Sequence, residues 1–264
     1  MSRIHPIVLL CAALSAVPLR SVSADPAATA SVEALVRAYP DHLSRIEGNV
    51  LIWRDGTRMP ISDGVAHKDF ETLLSRPDID DMFVIPYRPG RPTRNPAPNE
   101  DPGRIRYEPF FRKMYGDCRK GEVEKRLRTV KWMPSRGGGS VRVTTVNQVA
   151  DRLEAVVRDL EKLPAELTRY LVPSAGTISC RAIAGTDRRS MHSYAAAIDI
   201  STKFADYWRW AKPKNGIIPY RNRIPFEIVE VFERHGFIWG GKWYHYDTMH
   251  FEYRPELLAR AFSD

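Results

Sequence analysis

The chain has 264 residues, 43% of them hydrophobic and 27% charged, which is enough for a sizeable buried core and excludes an intrinsically disordered protein. Six Trp and 10% aromatic residues point the same way, and no run approaches the roughly 18 apolar residues of a bilayer span, so no stable membrane insertion is expected. Lys and Arg outnumber Asp and Glu by 40 to 32, an excess spread along the chain that favours anionic surroundings without the basic block of a nucleic-acid binder.

Residues 1–24 read as a secretory signal peptide. Arg3 and His5 give a short polar start, Ile7 to Val17 is mostly apolar, and Val22, Ser23 and Ala24 place small residues at a cleavage site after Ala24. A lipid-attachment site at Cys11 fits less well, because Leu10 stands where a small residue is wanted. Cleavage removes Arg3 and Arg20 and no acid, leaving 38 basic against 32 acidic residues, or +6. The protein is then expected outside the cytoplasm, periplasmic or associated with the cell wall. Of the three cysteines only Cys118 and Cys180 remain, and in an oxidising compartment they either pair or stay as two buried thiols.

Residues 25–112 carry short, irregular signals. Asn49 to Trp53, Asp55-Gly56 and Met59 to Ile61 predict a hairpin with a type I′ turn. Seven of the twenty prolines fall between Pro86 and Pro109, which predicts an ordered arm over the domain rather than sheet. In residues 113–264, Val146, Val149, Leu153, Val156, Leu160 and Leu163 predict an amphipathic helix opened by Thr144 or Thr145 and stopped by Pro164. A second helix is predicted from Pro225 through Phe226, Val229 and Phe232 to Gly236. Thr177 to Ile183, Ala195 to Ser201 and Thr248 to Tyr253 read as strands, giving an α+β domain of helices packed on one small antiparallel sheet.

Candidate metal ligands are His192 and Asp199, seven residues apart, and His250. On a helix the first two would sit about 10 Å apart along the axis, and a strand would put them on opposite faces. His192 must therefore lie in a turn folding back toward a strand that carries Asp199, with His250 on an adjacent strand. Two imidazoles and a carboxylate, with a fourth position left for water, are the composition of a catalytic zinc site.

The pattern Ser190-x-His192-x6-Asp199 followed by Asp247-x-x-His250 resembles the zinc D,D-peptidases of the M15 family, which share the Hedgehog/DD-peptidase fold and include D-alanyl-D-alanine carboxypeptidases and L-Ala-D-Glu endopeptidases. The resemblance takes in Tyr115-Gly116, Val130 to Trp132, Arg181, Gly185-Thr186 and His250 to Glu256, and so runs from about Tyr115 to the C terminus. It implies Zn2+ held by His192, Asp199 and His250, Asp247 as general base, Arg181 as the guanidinium that stabilises the oxyanion, and Ser190 as a substrate-contacting hydroxyl. It also implies peptidoglycan stem peptides as substrates. The chain departs from the family at Ala195, where glycine is common; if that position needs positive φ, Ala costs roughly 1 kcal/mol or more.

Asp247 and His250 would face opposite sides of an unbroken strand, so the strand is expected to begin, or to bend, after Asp247. His245 is expected at the rim rather than as a fourth ligand, and Glu227, Glu230 and Glu233 on a solvated helix face. Glu252 either orients His250 or lies on the surface. Trp239, Trp243 and Tyr244 form core packing or an aromatic wall, and Arg188 and Arg189 face water or a substrate carboxylate. A Cys118–Cys180 bridge would steady the segment leading to Arg181. The alternative to an enzyme is a non-catalytic zinc module that binds a wall fragment or a partner protein; Asp247 and Arg181 favour the enzyme, since pure binding needs neither base nor oxyanion donor.

Overall fold

The computed structural model describes residues 26–259, with side chains from residue 32 onward. The expected signal peptide and Cys11 lie outside the described residues.

Helix α1 (Pro26–Ala38) sets Val32 and Leu35 into the core and leads to the buried Tyr39. Strands β1 (Leu43–Glu47), β2 (Val50–Trp53) and β3 (Arg58–Pro60) form an antiparallel sheet in that order. The hairpin predicted from Asn49 to Ile61 is present, with Leu51 opposite Met59, but its turn is different. The Trp53 N–H donates to the Thr57 carbonyl, the Gly56 N–H donates to the Trp53 carbonyl, and of the pair Asp55-Gly56 only Gly56 has positive φ. A three-residue loop closed by a left-handed glycine therefore replaces the I′ turn, which would have forced Asp55 into the left-handed region as well.

Helix α2 (Phe70–Ser75) is capped by Asp69, whose carboxylate accepts the Thr72 N–H at 2.7 Å. The proline-rich stretch that follows carries no strand and is anchored by side chains. Helix α3 (Glu108–Tyr115) then buries Phe110, Phe111, Met114 and Tyr115. Strands β4 (Leu127–Lys131) and β5 (Ser140–Thr144) pair as a hairpin.

Helix α4 (Val149–Leu160) presents the predicted stripe of Val149, Leu153, Val156 and Leu160 to the core, but both ends are shorter than expected. Asn147 and Gln148 have φ of 53° and 60°, which breaks the chain after a short turn at Val146, and the helix ends four residues before Pro164. The short helix α5 (Thr168–Leu171) leads to strand β6 (Ala197–Asp199). Helix α6 (Phe226–Arg234) follows Pro225 and stops before Gly236, as predicted, and strand β7 (Phe237–Trp239), strand β8 (His250–Tyr253) and helix α7 (Pro255–Ala259) complete the chain.

β8 is the centre of an antiparallel sheet ordered β6-β8-β7. One expectation is corrected here. Thr177 to Ile183 is not a strand, since that region pairs only through isolated bridges from Gly176 to Asp199 and from Ala182 to Arg189. Its polar residues lack a neighbouring strand to pair with over any length. Conversely, Phe237 to Trp239 is a strand, and Trp239 and Trp243 are core residues only 1% and 4% exposed.

The small sheets are held together by one apolar cluster that runs from Leu35, Tyr39 and Trp53 through Phe110 and Leu153 to Phe232 and Phe251. Phe232 of α6 stacks on Phe251 of β8 with ring centres 3.8 Å apart. The molecule is thus α+β, with small antiparallel sheets and several helices.

Candidate metal and active site

Strand register builds the first half of the site. Asp199 on β6 lies directly opposite His250 on β8, so the two side chains leave the sheet on the same face. Asp199 Oδ1 stands 3.0 Å from His250 Nδ1.

His192 arrives by a different route. Residues Met191–Tyr194 form a single 3-10 turn, opened by the Ser190 hydroxyl accepting the His192 N–H and closed by Ala195 at φ 52°, ψ 30°. The left-handed conformation expected of this position is therefore adopted by an alanine. The turn reverses the chain and points His192 back at β6. There the Thr177 carbonyl, held beside Asp199 by the bridge from Gly176, accepts from His192 Nδ1 at 2.9 Å.

These contacts fix both tautomers. A carbonyl only accepts, so His192 carries its proton on Nδ1 and turns Nε2 inward. Glu252, two residues along β8 from His250, takes a hydrogen bond from His250 Nε2 at 3.0 Å, which leaves Nδ1 of that ring facing inward. His192 Nε2, His250 Nδ1 and Asp199 Oδ1 consequently meet as three lone-pair atoms 3.0 to 3.2 Å apart. Such a trio repels itself unless a cation or a proton stands between its members. The spacing is near the edge, about 3.3 Å, of a tetrahedron with bonds of 2.0 to 2.1 Å, so the donor set fits a zinc ion. Without a metal, burial disfavours a charged His250, but the hydrogen bonds to Asp199 and Glu252 outweigh it and raise the ring to about 10. Burial likewise opposes the charge on Asp199, yet the bonds to His192 and His250 hold its carboxyl well below the usual range.

The other three expected residues line the same cavity of about 280 Å³. Asp247 comes just before β8, which begins at His250 as its geometry required; the chain turns there, with the His250 N–H donating to the Asp247 carbonyl at 3.2 Å. Asp247 Oδ1 is buried and has no hydrogen-bond partner among the described residues, and burial, opposed by the charge of His250 and aided by that of Asp199, raises this carboxyl to about 6. Arg181 is exposed at the rim. Ser190 is buried, its oxygen engaged as the cap of the turn.

Cys118 and Cys180 form a disulfide that closes a sequence separation of 62 residues immediately before Arg181. Cys118 packs with Ala195 and Val123, which places the bridge against the turn that carries His192.

Glu252 is not a surface residue. It is fully buried, and besides His250 it accepts from Arg106 and Arg254, each at 3.2 Å from Oε1. Burial alone would raise its pKa, but the charge of Arg106 and the bond from His250 hold it well below the usual range. His245 stays out of the metal group and bonds Asp101 at 2.5 Å. Glu233 corrects another expectation: unlike the exposed Glu227 and Glu230, it is half-buried, its side chain covered by the arm and bonded to Lys242, Tyr87 and the Gly90 N–H. Helical periodicity marks the face opposite the core, and a proline-rich loop without periodicity covers part of that face.

Sequence reasoning also missed Arg104 and Arg106, which the arm extends into the cavity. Their Arg-x-Arg alternation was a usable signal, because alternate residues of an extended segment point the same way.

Comparison with known proteins bears on one part of the chain. Residues 184–253 match the peptidase family described as D-alanyl-D-alanine carboxypeptidase, a narrower stretch than the resemblance from Tyr115 onward. Neither the curated proteins nor the solved structures contain a match. The matched stretch holds His192, Asp199, Asp247 and His250, and over it the chain is similar to M15 family peptidases.

Proposed function

We propose that the chain is a secreted zinc peptidase that hydrolyses peptide bonds of peptidoglycan stem peptides, as a D,D-carboxypeptidase or as a D,D- or L-Ala-D-Glu endopeptidase, on a fold of the Hedgehog/DD-peptidase type. One observation carries the reading: three inward lone-pair donors share an open cavity with a buried carboxylate oxygen, Asp247 Oδ1, that has no partner. The substrate class rests on the match to a carboxypeptidase family. Export through residues 1–24 agrees with the disulfide, which persists in oxidising compartments, and the basic charge favours the anionic wall.

His192, Asp199 and His250 would hold the metal. A zinc ion held there would lower the pKa of a bound water to about 7 and polarise a carbonyl. The remaining work belongs to the chain itself. Asp247, whose carboxyl burial makes more basic than an ordinary aspartate, is placed to take the proton of the attacking water and return it to the leaving amine. Arg181 meets the charge that grows on the scissile carbonyl oxygen. The Ser190 hydroxyl, its oxygen bound to the turn, keeps its proton free to donate to the substrate peptide.

Incubation of the zinc-loaded protein with defined muropeptides, followed by mass analysis of the products, tests the reading and identifies the bond cut. Asp247→Asn should retain zinc while turnover falls by about two to four orders of magnitude. Protein that binds zinc and muropeptides but cuts none of them would be a binding module instead.

A further inference from the structure

The metal cavity, at about 280 Å³, is small for a ligand pocket, so a substrate that extends far beyond the bond being cut must lie partly outside it. One wall of the cavity continues outward as aromatic rings. Tyr207 lines the cavity, and its backbone bridges to that of Asp247. On either side of that bridge the Trp208 N–H donates to the Tyr246 carbonyl at 2.9 Å and the Thr248 N–H to the Asp206 carbonyl at 3.0 Å. The wall is therefore held in register with the proposed base. A single 3-10 turn follows, Trp208–Trp210, in which the Trp210 N–H donates to the Tyr207 carbonyl at 2.9 Å. The turn brings the Trp210 ring against the Tyr207 ring, with centres 5.7 Å apart and planes at 82°, and leaves Trp210 61% exposed.

A single exposed aromatic side chain is commonplace, but this one is neither isolated nor loose. Its neighbour Arg209 lies 4.6 Å from the centre of the Trp208 ring and donates from Nη2 to the carbonyl of Ala184, another residue lining the cavity, at 2.8 Å. The indole is thus presented on a fixed backbone beside a guanidinium, and a ligand that stacks on it pays little to order the protein. Such a surface suits a pyranose ring, whose C–H groups meet the negative face of the indole while its hydroxyl and acetamido oxygens accept from N–H donors at the edge. A peptide strand would need free backbone groups, yet the N–H groups of Trp208 and Trp210 are already bonded. A membrane anchor would turn away from the cavity, whereas Trp210 leans on a ring that lines it.

We infer that Tyr207 and Trp210 form a saccharide platform at the mouth of the metal cavity, on which an amino-sugar ring of the glycan strand stacks while the stem peptide joined to it enters the cavity. This deepens the peptidase reading above and rests on it. Sugar and peptide are parts of one molecule, so stacking on the platform adds to binding in the cavity, and the enzyme prefers stem peptides that still carry their sugar.

The test uses one stem pentapeptide in two forms, N-acetylated and amide-linked to an N-acetylglucosamine–N-acetylmuramic acid disaccharide, so that neither carries an α-amino charge. KM and kcat are read on the wild type, Trp210→Ala and Trp210→Phe, with the exposed Val84→Ala as control. Calorimetric binding of both forms to zinc-loaded Asp247→Asn protein, with and without Trp210→Ala, supplies a readout free of turnover. The wild type should show KM and Kd about 5- to 10-fold lower for the disaccharide form. Trp210→Ala should erase that difference while leaving the N-acetylated peptide and kcat nearly unchanged, Trp210→Phe should keep part of it, and Val84→Ala should behave as wild type. Equal affinity of the wild type for the two forms, or a preference unchanged in Trp210→Ala, overturns the platform. So does an equal loss on both forms, which would set Trp210 against the peptide, or Trp210-dependent sedimentation with phosphatidylglycerol vesicles without any sugar preference. If neither form is cut but sugar-selective, Trp210-dependent binding persists, the platform stands and the peptidase reading falls; cleavage that ignores the sugar gives the reverse.

Discussion

At the scale of single residues, the site depends on groups that hold its ligands in one tautomer. The Thr177 carbonyl does so for His192, and Glu252 does so for His250. Glu252 also balances Arg106 and Arg254, so it is both an orienting group and the centre of a buried charge network. Glu252→Gln should lower zinc affinity about 10- to 100-fold, the usual consequence of losing a carboxylate behind a ligating histidine. It should also lower stability by about 3 to 5 kcal/mol, because two buried guanidinium groups lose their counter-charge. Competition with a chromophoric chelator and a denaturant titration read the two effects separately, and wild-type zinc affinity in the variant would show that Glu252 does not act on the metal site. The ligand trio was legible from the family resemblance rather than from spacing, which shows only that neither one helix nor one strand can bring residues seven apart to one ion. The state of Glu252 was not, since alternation along β8 says that it shares a face with His250 but not whether that face is covered. The cover is Arg106, 146 positions away in sequence.

At the scale of elements, helices α4 and α6 were readable from their apolar stripes, and the ends were not. Asn147 and Gln148 in the left-handed region start α4 later than any capping signal indicates. The 3-10 turn carrying His192 left a clearer trace: a motif that usually has glycine at the fourth position here has Ala195, and its φ is 52°. That turn is buttressed by Cys118 of the disulfide, packed against Ala195. Because the bridge closes a separation of 62 residues, its loss should cost up to about 4 kcal/mol of unfolding free energy if chain entropy dominates. The Cys118→Ala/Cys180→Ala protein should therefore unfold at lower denaturant than the oxidised wild type, and the reduced wild type should behave like the double variant. An unchanged midpoint in both would mean that the bridge constrains nothing the fold does not already fix.

Across the whole molecule, the residues proposed as metal ligands and base all lie beyond residue 112, and among the described residues the region before it adds none to the group of His192, Asp199 and His250. Composition suggested this separation, and it is one of chemistry rather than of packing. Helix α1 contacts α7, and the Tyr39 hydroxyl donates to Glu256 at 2.6 Å; Glu256 pairs with Arg254, Arg254 with Glu252, and Glu252 with His250. A continuous line of buried charges thus runs from the N-terminal helix to the metal site. On the apolar side, Tyr39 and Trp53 pack on Phe110, with ring centres 6.0 and 5.4 Å apart, and α3 carries the same contacts across residue 112. Nothing local announces such long-range packing, since the arm has neither a helical nor a strand period and its hydrogen bonds reach residues 84 to 154 positions away. A fragment of residues 113–264 would expose the core face left by Phe110, Phe111 and Tyr39, and would leave Glu252 without Arg106 and Glu256 without its phenol. Lost apolar cover, together with buried charges left unpaired, weighs heavily against the 5 to 15 kcal/mol by which domains are ordinarily stable. The fragment should fail to fold cooperatively and should bind zinc far more weakly than the full chain, as read by circular dichroism on denaturant titration and by metal analysis after dialysis. A fragment with a sharp unfolding transition and one tightly held zinc would show instead that the arm is an independent layer laid over a self-sufficient domain.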